Sequence, residues 1–206
     1  MNTDNPHKPR LLGVILAGGA SRRMNGQDKF LLPLGGKKML SHIIDRLSPQ
    51  VDKLILNING PAQRASFFQL EVVSDIIYDE MNKPLGPLGG LYTALQYAKD
   101  NDFDYVVTTP CDTPFLPQNY VEKLWQHYQD NAVVVAKSKD RLHPVLALWS
   151  VSLLDDLKLT LEKNDRKMMD WLKKHHAKEV VWDEKLDPFI NINNLEDLKE
   201  AEKQFY

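Results

Sequence analysis

The chain has 206 residues, 43% hydrophobic and 26% charged, enough for one well-buried domain and short for two. Its 26 Lys and Arg against 28 Asp and Glu leave a formal net charge of -2, so no global basic field exists to hold a nucleic acid, which is excluded as the main partner. The single cysteine, Cys111, cannot close an intramolecular disulfide, residues 1–10 hold no apolar leader, and no run of about eighteen apolar residues occurs; a cytoplasmic protein that does not span a membrane is expected.

In chain order, residues 11–16 form a short, almost wholly apolar run that breaks into Ala17-Gly18-Gly19, as a buried parallel strand ending in a glycine turn does. Residues 39–47 place Met39, Leu40, Ile43, Ile44 and Leu47 at helical spacing. A strand is expected at 54–58, a short helix at 62–68 and a strand around Val72-Val73, followed by a loop rich in Pro and Gly. A helix at 91–98 and a buried strand at 105–109 come next. Beyond Pro117 the pattern predicts helices at 120–128, 151–161 and 168–175, and strands at 132–136, 145–149, 180–182 and 189–192. A loop at 183–188 and a closing helix at 195–204 complete the chain. Strands alternating with helices, with Val- and Ile-rich strands, imply a mostly parallel sheet covered on both faces: a three-layer α/β fold forming one domain over 1–206.

In such sheets ligands sit outside the carboxyl ends of the strands, so the stretch from Leu16 to Lys29 is the first place to seek chemistry. Gly18 and Gly19 let backbone N–H groups approach phosphate oxygens, and Arg22, Arg23 and Lys29 can offset the charge of a triphosphate. On composition alone an ordinary turn with solvated cations fits equally well. Neither G-x-G-x-x-G nor G-x-x-x-x-G-K-[ST] is present, which disfavours a dinucleotide-binding dehydrogenase and a P-loop ATPase; Gly35-Gly36-Lys37-Lys38 lacks the earlier glycine and the Ser/Thr.

Asp112 follows a buried strand, in a turn restricted by Pro110 and Pro114. A fixed carboxylate beside a triphosphate suits Mg²⁺, which takes few protein carboxylates; the competing reading is an Asx-type turn cap. Asn57, Asn59 and Asp75 follow the second and third strands toward the same edge, either as strand-end turns or as a base pocket. An Asp there can accept from a guanine N1–H and amino group, a donor pair that adenine does not offer on that edge. Cys111 reads as a packing residue, and His127, His175 and His176 lack a second pair at metal-ligand spacing.

An ordered set of motifs runs through the chain: Leu16-Ala17-Gly18-Gly19, Arg23-Met24, Asp28-Lys29, Asn57-Ile58-Asn59, Asp75 and Gly86-Pro87-Leu88-Gly89-Gly90. It continues with Pro110-Cys111-Asp112-Thr113-Pro114, His143-Pro144, Arg166 followed by Met168, and Phe189-Ile190-Asn191-Ile192-Asn193. Over nearly the whole chain this set resembles the nucleotidyltransferases that make nucleotide-linked sugars and cofactors, and within them the molybdenum cofactor guanylyltransferase family. Asn25 stands where relatives often have glycine; asparagine tolerates left-handed backbone angles, so the same loop conformation is expected.

The resemblance implies a Rossmann-like sheet of the nucleotide-diphospho-sugar transferase type, and transfer of GMP from GTP to the phosphate of molybdenum-bearing molybdopterin with release of pyrophosphate. It implies GTP contacts at Leu16, Ala17, Gly18, Lys29, Asn57, Asp75 and Asp112, with Gly19 completing the backbone cradle. Arg23, Lys29 and Asp112 are the expected catalytic residues, with Mg²⁺ on Asp112. In the second half Arg141, His143, Arg166, Lys167, Asn191 and Asn193 form a polar cluster, of which Arg166, Asn191 and Asn193 are the expected acceptor contacts. The N-terminal half is thus the GTP and Mg²⁺ side and the C-terminal half the acceptor side. Implied partners are GTP and the molybdopterin cofactor, with transient contact to molybdenum-insertion proteins and molybdoenzyme chaperones. A cytidylyltransferase for the same pterin, a sugar-phosphate nucleotidyltransferase and a silent nucleotide-binding module stay open as alternatives; base preference and pyrophosphate release separate them.

Overall fold

A computed structural model of the protein describes residues 8–18, 28–129 and 131–205. Strand β1 (Leu11–Leu16) lies inside a seven-stranded sheet, because its side chains are apolar on both faces. Leu12, Val14 and Leu16 enter one core, and Ile15, with Ala17 beyond the strand, enters the other. Gly13 sits between them, where a Cβ would meet Val51 Cγ2 at 2.9 Å; the glycine lets the 3-10 turn Ser48–Gln50 and its exit pack on the strand.

Strand β1 pairs in parallel with β4 (Lys53–Asn57) and β6 (Tyr105–Pro110), so that Leu16 lies opposite both Asn57 and Pro110. The small antiparallel pair β2 (Pro33–Leu34) and β3 (Lys37–Lys38) turns on Gly35 and Gly36 at φ 52 and 82. This is the two-residue hairpin that a Gly-Gly pair favours, and the sequence pattern did not foresee it. With β5 (Glu71–Val73), β7 (Val133–Ser138), β8 (Arg141–Ser150) and β9 (Lys178–Trp182), the main sheet has the order β5-β4-β1-β6-β8-β7-β9. The sheet is mostly parallel, as expected, with β8 antiparallel to both β6 and β7. Only two residues, Lys139 and Asp140, join β7 to β8, too few for a parallel crossover.

Helices α1 (Met39–Leu47) and α3 (Tyr120–Gln126) cover one face through Leu40, Ile43, Leu47, Tyr120 and Leu124. On the other face lie α2 (Pro87–Asp100), α4 (Leu154–Glu162) and α5 (Met168–Lys174), with Leu88, Leu91, Leu95, Leu157 and Trp171 in the core. Helix α2 begins four residues before the expected start, with Pro87 in its first turn, where a fixed φ is already helical and no N–H is lost. Helix α6 (Leu195–Phe205) closes a third, smaller core of Leu34, Met39, Phe115, Ile192, Leu198 and Ala201.

One expectation is refined and one corrected. The short helix expected at 62–68 is present with those bounds, as a 3-10 helix. Residues 189–192 are not a strand: Phe189 and Ile192 are buried, but the Ile192 N–H bonds the Asp112 carbonyl at 2.9 Å and the segment joins no sheet. Apolar anchoring of a loop had the same signature as a short buried strand. Among the described residues no helix is long and apolar enough to cross a membrane.

Candidate active site

The carboxyl ends of β1, β4 and β6 converge on one edge of the sheet. Beyond β1 the Ala17 N–H bonds the Asn57 carbonyl at 2.8 Å, and the Cys111 N–H bonds the Leu16 carbonyl at 3.1 Å. These bonds bring the glycine turn, the end of β4 and the Pro-Cys-Asp turn side by side. Cys111 itself is buried in the core cluster under α1 and α3.

Lys29, in a single 3-10 turn (Lys29–Leu31), is 3% exposed. Its ammonium donates to Asp112 Oδ2 at 2.8 Å and Asn193 Oδ1 at 2.7 Å, while Asn191 Nδ2 lies 3.4 Å from Asp112 Oδ1. Four residues singled out in the sequence, Lys29, Asp112, Asn191 and Asn193, thus form one cluster. A preorganised buried ammonium beside a carboxylate provides a charge-stabilising group and an anionic cation ligand at one point. The oxygens are all hard donors, and Asp112 keeps 15% of its side-chain surface in water. One reachable carboxylate with amide oxygens nearby fits Mg²⁺, which keeps most of its shell for water and phosphate.

A second cluster holds Asp75, which is 5% exposed. Asn57 Nδ2 donates to its Oδ1 at 3.0 Å and Asn59 Nδ2 to its Oδ2 at 2.8 Å. With Leu16, Gly18, Gly86, Pro87 and Gly90 these residues line a cavity of about 70 Å³. Gly90 is needed there because a Cβ would stand 2.9 Å from Asn57 Oδ1. Each carboxylate oxygen holds one amide donor and has a second lone pair to offer a ligand N–H.

Arg166 stands elsewhere. Its Nε donates to Asn164 Oδ1 at 2.8 Å and its Nη2 to Asp79 Oδ2 at 3.3 Å, over a pocket of about 420 Å³ that also presents Tyr78, Glu80, Met81 and Glu162. The Lys83 backbone N–H first, and then Arg166 against the effect of burial, hold the Asp79 carboxyl below its usual range. Asn191 instead shares a pocket of about 220 Å³ with Arg141, His143 and Pro144. Burial holds His143 below its usual pKa, favouring the neutral ring, whose Nε2 lies 2.7 Å from Ser138 Oγ. Lys167 is highly exposed and lies 3.8 Å from Asp170. Gly19 and Arg23, like Arg22 and Asn25, lie outside the described residues.

Sequence reasoning missed Arg64, on the 3-10 segment Ala62–Phe68, which clasps Asp28 with a two-nitrogen fork. An isolated Arg in a polar stretch carries no spacing signal; only the Asp beside the lysine hinted at a partner.

Residues 13–180 match the model of the MobA-like NTP transferase domain. The chain belongs to the MobA-like NTP transferase family. As a member of that family it is a nucleotidyltransferase. It is 40% identical to a molybdenum cofactor guanylyltransferase of Nitrobacter hamburgensis, across 95% of this chain and 94% of that one. It is 39% identical to the protein of the same name in Yersinia pestis, across 92% and 94%. The fold matches the crystal structure of molybdopterin-guanine dinucleotide biosynthesis protein A from Archaeoglobus fulgidus, with TM-score 0.71 and 24% identity over 94% of this chain and 97% of that one. It also matches CMP:2-keto-3-deoxy-manno-octonic acid synthetase, with TM-score 0.66 and 16% identity over 94% and 97%. The fold of this chain is thus shared with that synthetase.

Proposed function

We propose that the chain transfers GMP from GTP to the phosphate of molybdopterin carrying molybdenum, giving the guanine dinucleotide form of the cofactor and pyrophosphate. The observation that carries this reading is the pairing of Lys29 with Asp112 at the sheet edge that also bears the Asp75 pocket. The names of the relatives at 39–40% identity support it.

The acceptor phosphate oxygen attacks the α-phosphorus of GTP in line, the bond to the β-phosphate bridging oxygen breaks, and pyrophosphate leaves with the electron pair. No side chain needs to form a covalent bond, so the protein's contribution is positioning and charge. Lys29 meets the growing negative charge with an ammonium already held in place. Arg23 and the backbone N–H groups of Gly18 and Gly19 complete the triphosphate cradle in this reading, and Leu16 and Ala17 border the nucleoside. Asp75, braced by Asn57 and Asn59, accepts from the guanine N1–H and amino group and selects against adenine. Asp112, helped by Asn191 and Asn193, would hold Mg²⁺, which neutralises phosphate charge when bound.

The acceptor half of the reading rests on Asn191 and Asn193 beside Asp112. Arg166 serves the acceptor from the separate pocket it shares with Asp79, where Glu80 and Glu162 add negative charge; it therefore suits a hydrogen-bonding contact better than a phosphate clamp. Residues 1–206 act as one domain, with nucleotide bound by the first half and acceptor by the second. The work is placed in the cytoplasm, where the product passes to molybdenum-insertion proteins and molybdoenzyme chaperones.

A thermal-shift panel of GTP, CTP, ATP and UTP with Mg²⁺, followed by pyrophosphate release with acceptor present, tests the proposal. GTP alone should both raise the melting temperature and support turnover. Preference for CTP would move the chain to cytidylyl transfer, and binding without turnover would make it a binding module.

A further inference from the structure

Asp28 and Lys29 are adjacent in the chain but engage different partners. Lys29 reaches Asp112 and Asn193, whereas the Asp28 carboxylate accepts from the Arg64 guanidinium, from Nε to Oδ2 at 2.6 Å and from Nη2 to Oδ1. The remaining nitrogen, Nη1, donates to the Asn59 backbone carbonyl at 3.2 Å. Asn59 in turn donates through Nδ2 to Asp75. One planar group is therefore bonded both to the residue preceding the lysine and to the residue bracing the base-side carboxylate.

The local sequence builds this joint. Gly60 has φ 124, and a Cβ there would lie 2.8 Å from Arg64 Nη1, so glycine clears the path of the guanidinium. The Arg64 N–H bonds the Pro61 carbonyl at 3.2 Å, opening the 3-10 turn that folds Arg64 back over Asn59. Among the described residues Asn59 Oδ1 is buried without a hydrogen-bond partner, so Asn59 keeps its place through its other bonds: side-chain Nδ2 to Asp75 and backbone carbonyl to Arg64. A fork on a carboxylate is geometrically stiff, whereas a lysine in its place would be a single flexible charge.

We propose that Arg64 is a positioning residue for the transfer reaction, setting Lys29 through Asp28 and Asp75 through Asn59. Catalytic charge and base selection then depend on one side chain that touches neither phosphate nor base. The inference rests on the reading of Asp75 as the guanine contact.

The test compares wild type, Arg64→Ala and Arg64→Lys. For each, kcat and KM come from pyrophosphate release with GTP and the pterin acceptor, and dissociation constants for GTP and ATP come from calorimetry. Circular dichroism melting establishes the folded fraction. In Arg64→Ala, kcat should fall about tenfold or more and the GTP-over-ATP preference about threefold or more. Arg64→Lys can meet Asp28 as a point charge but cannot also reach the Asn59 carbonyl, so kcat should recover while the preference stays reduced. A purely structural arginine would lower only the melting temperature. Folded Arg64→Ala with either kcat or base preference at the wild-type value overturns the proposal, as does Arg64→Lys with wild-type base preference. Should Arg64→Ala not fold, the base preference of Arg64→Lys decides alone. Wild-type protein without preference for GTP would defeat the Asp75 reading itself, a failure seen before any variant is made.

Discussion

Replacing Lys29 by Met keeps an unbranched stem and deletes the charge from a side chain that is 4% exposed. The lost ammonium leaves Asp112 Oδ2 and Asn193 Oδ1 without the donor they hold at 2.8 and 2.7 Å. Breaking a fully buried pair by removing one partner costs about 3–5 kcal/mol. Asp112 keeps 15% of its side-chain surface in water and has Asn191 Nδ2 at 3.4 Å, so a loss of about 2 kcal/mol is expected. For a domain of this size that lowers Tm by about 4–8 °C, leaving the variant folded. The catalytic loss is separate and larger in effect: removing one preorganised group that meets developing charge lowers kcat by about 10²–10³. Scanning calorimetry measures the first quantity, pyrophosphate release with GTP and acceptor the second, and titration calorimetry the affinity for GTP. Affinity should change by less than kcat, because the ammonium acts most strongly as charge develops on the phosphates. A kcat within about threefold of wild type together with the lowered Tm would make Lys29 a structural residue and refute the reasoning.

Asp112→Asn keeps the shape of the turn and removes the anionic ligand, so Mg²⁺-dependent turnover should nearly vanish in a folded protein; undiminished activity across a Mg²⁺ titration would count against the assignment. Asp75→Asn turns one acceptor into a donor facing the Asn57 or Asn59 amide, so competitive binding of GTP and ATP should show a weakened preference for GTP. An unaltered ratio would remove Asp75 from the base pocket. Burial raises the Asp156 pKa, but bonds from Lys174, His175 and Trp171 prevail and hold it at about 2, below the ordinary 3.8. A carboxyl depressed in the folded state stabilises above 3.8 and loses that contribution as pH falls toward 2, so Asp156→Asn should flatten the acid limb of urea midpoints measured over that interval. Parallel limbs for the two proteins would show that Asp156 carries no linkage.

The alternation of strands and helices was legible because each buried strand is a short apolar run and each helix shows an apolar stripe. The full reach of β8 was hidden: its first half carries Arg141, His143 and Pro144, which break the apolar pattern, although Arg141 and Leu142 pair with β7 before a shift in register. The residues near Lys29 and Asp75 were legible for a different reason. In a parallel sheet, polar residues just past several strand ends must share an edge, so Asn57, Asp75 and Asp112 could be grouped without knowing any distance. Pairings with no such rule stayed invisible. Arg166 meets Asp79 from 87 positions away, and Arg64 meets Asp28 from 36, and neither separation follows from periodicity or strand order.

The order in which the polypeptide leaves the ribosome bears on when Lys29 becomes useful. Lys29 is made well before Asn193, which lies 164 positions later, and the small core under α6 that seats the neighbouring loop draws on residues later still. During synthesis the sheet can gather strand by strand while the ammonium still lacks its second oxygen. Completion of the lysine's surroundings therefore waits until Asn193 has been made, and a chain interrupted before it would possess the strands and the Asp75 cluster while the ammonium had only Asp112 to meet.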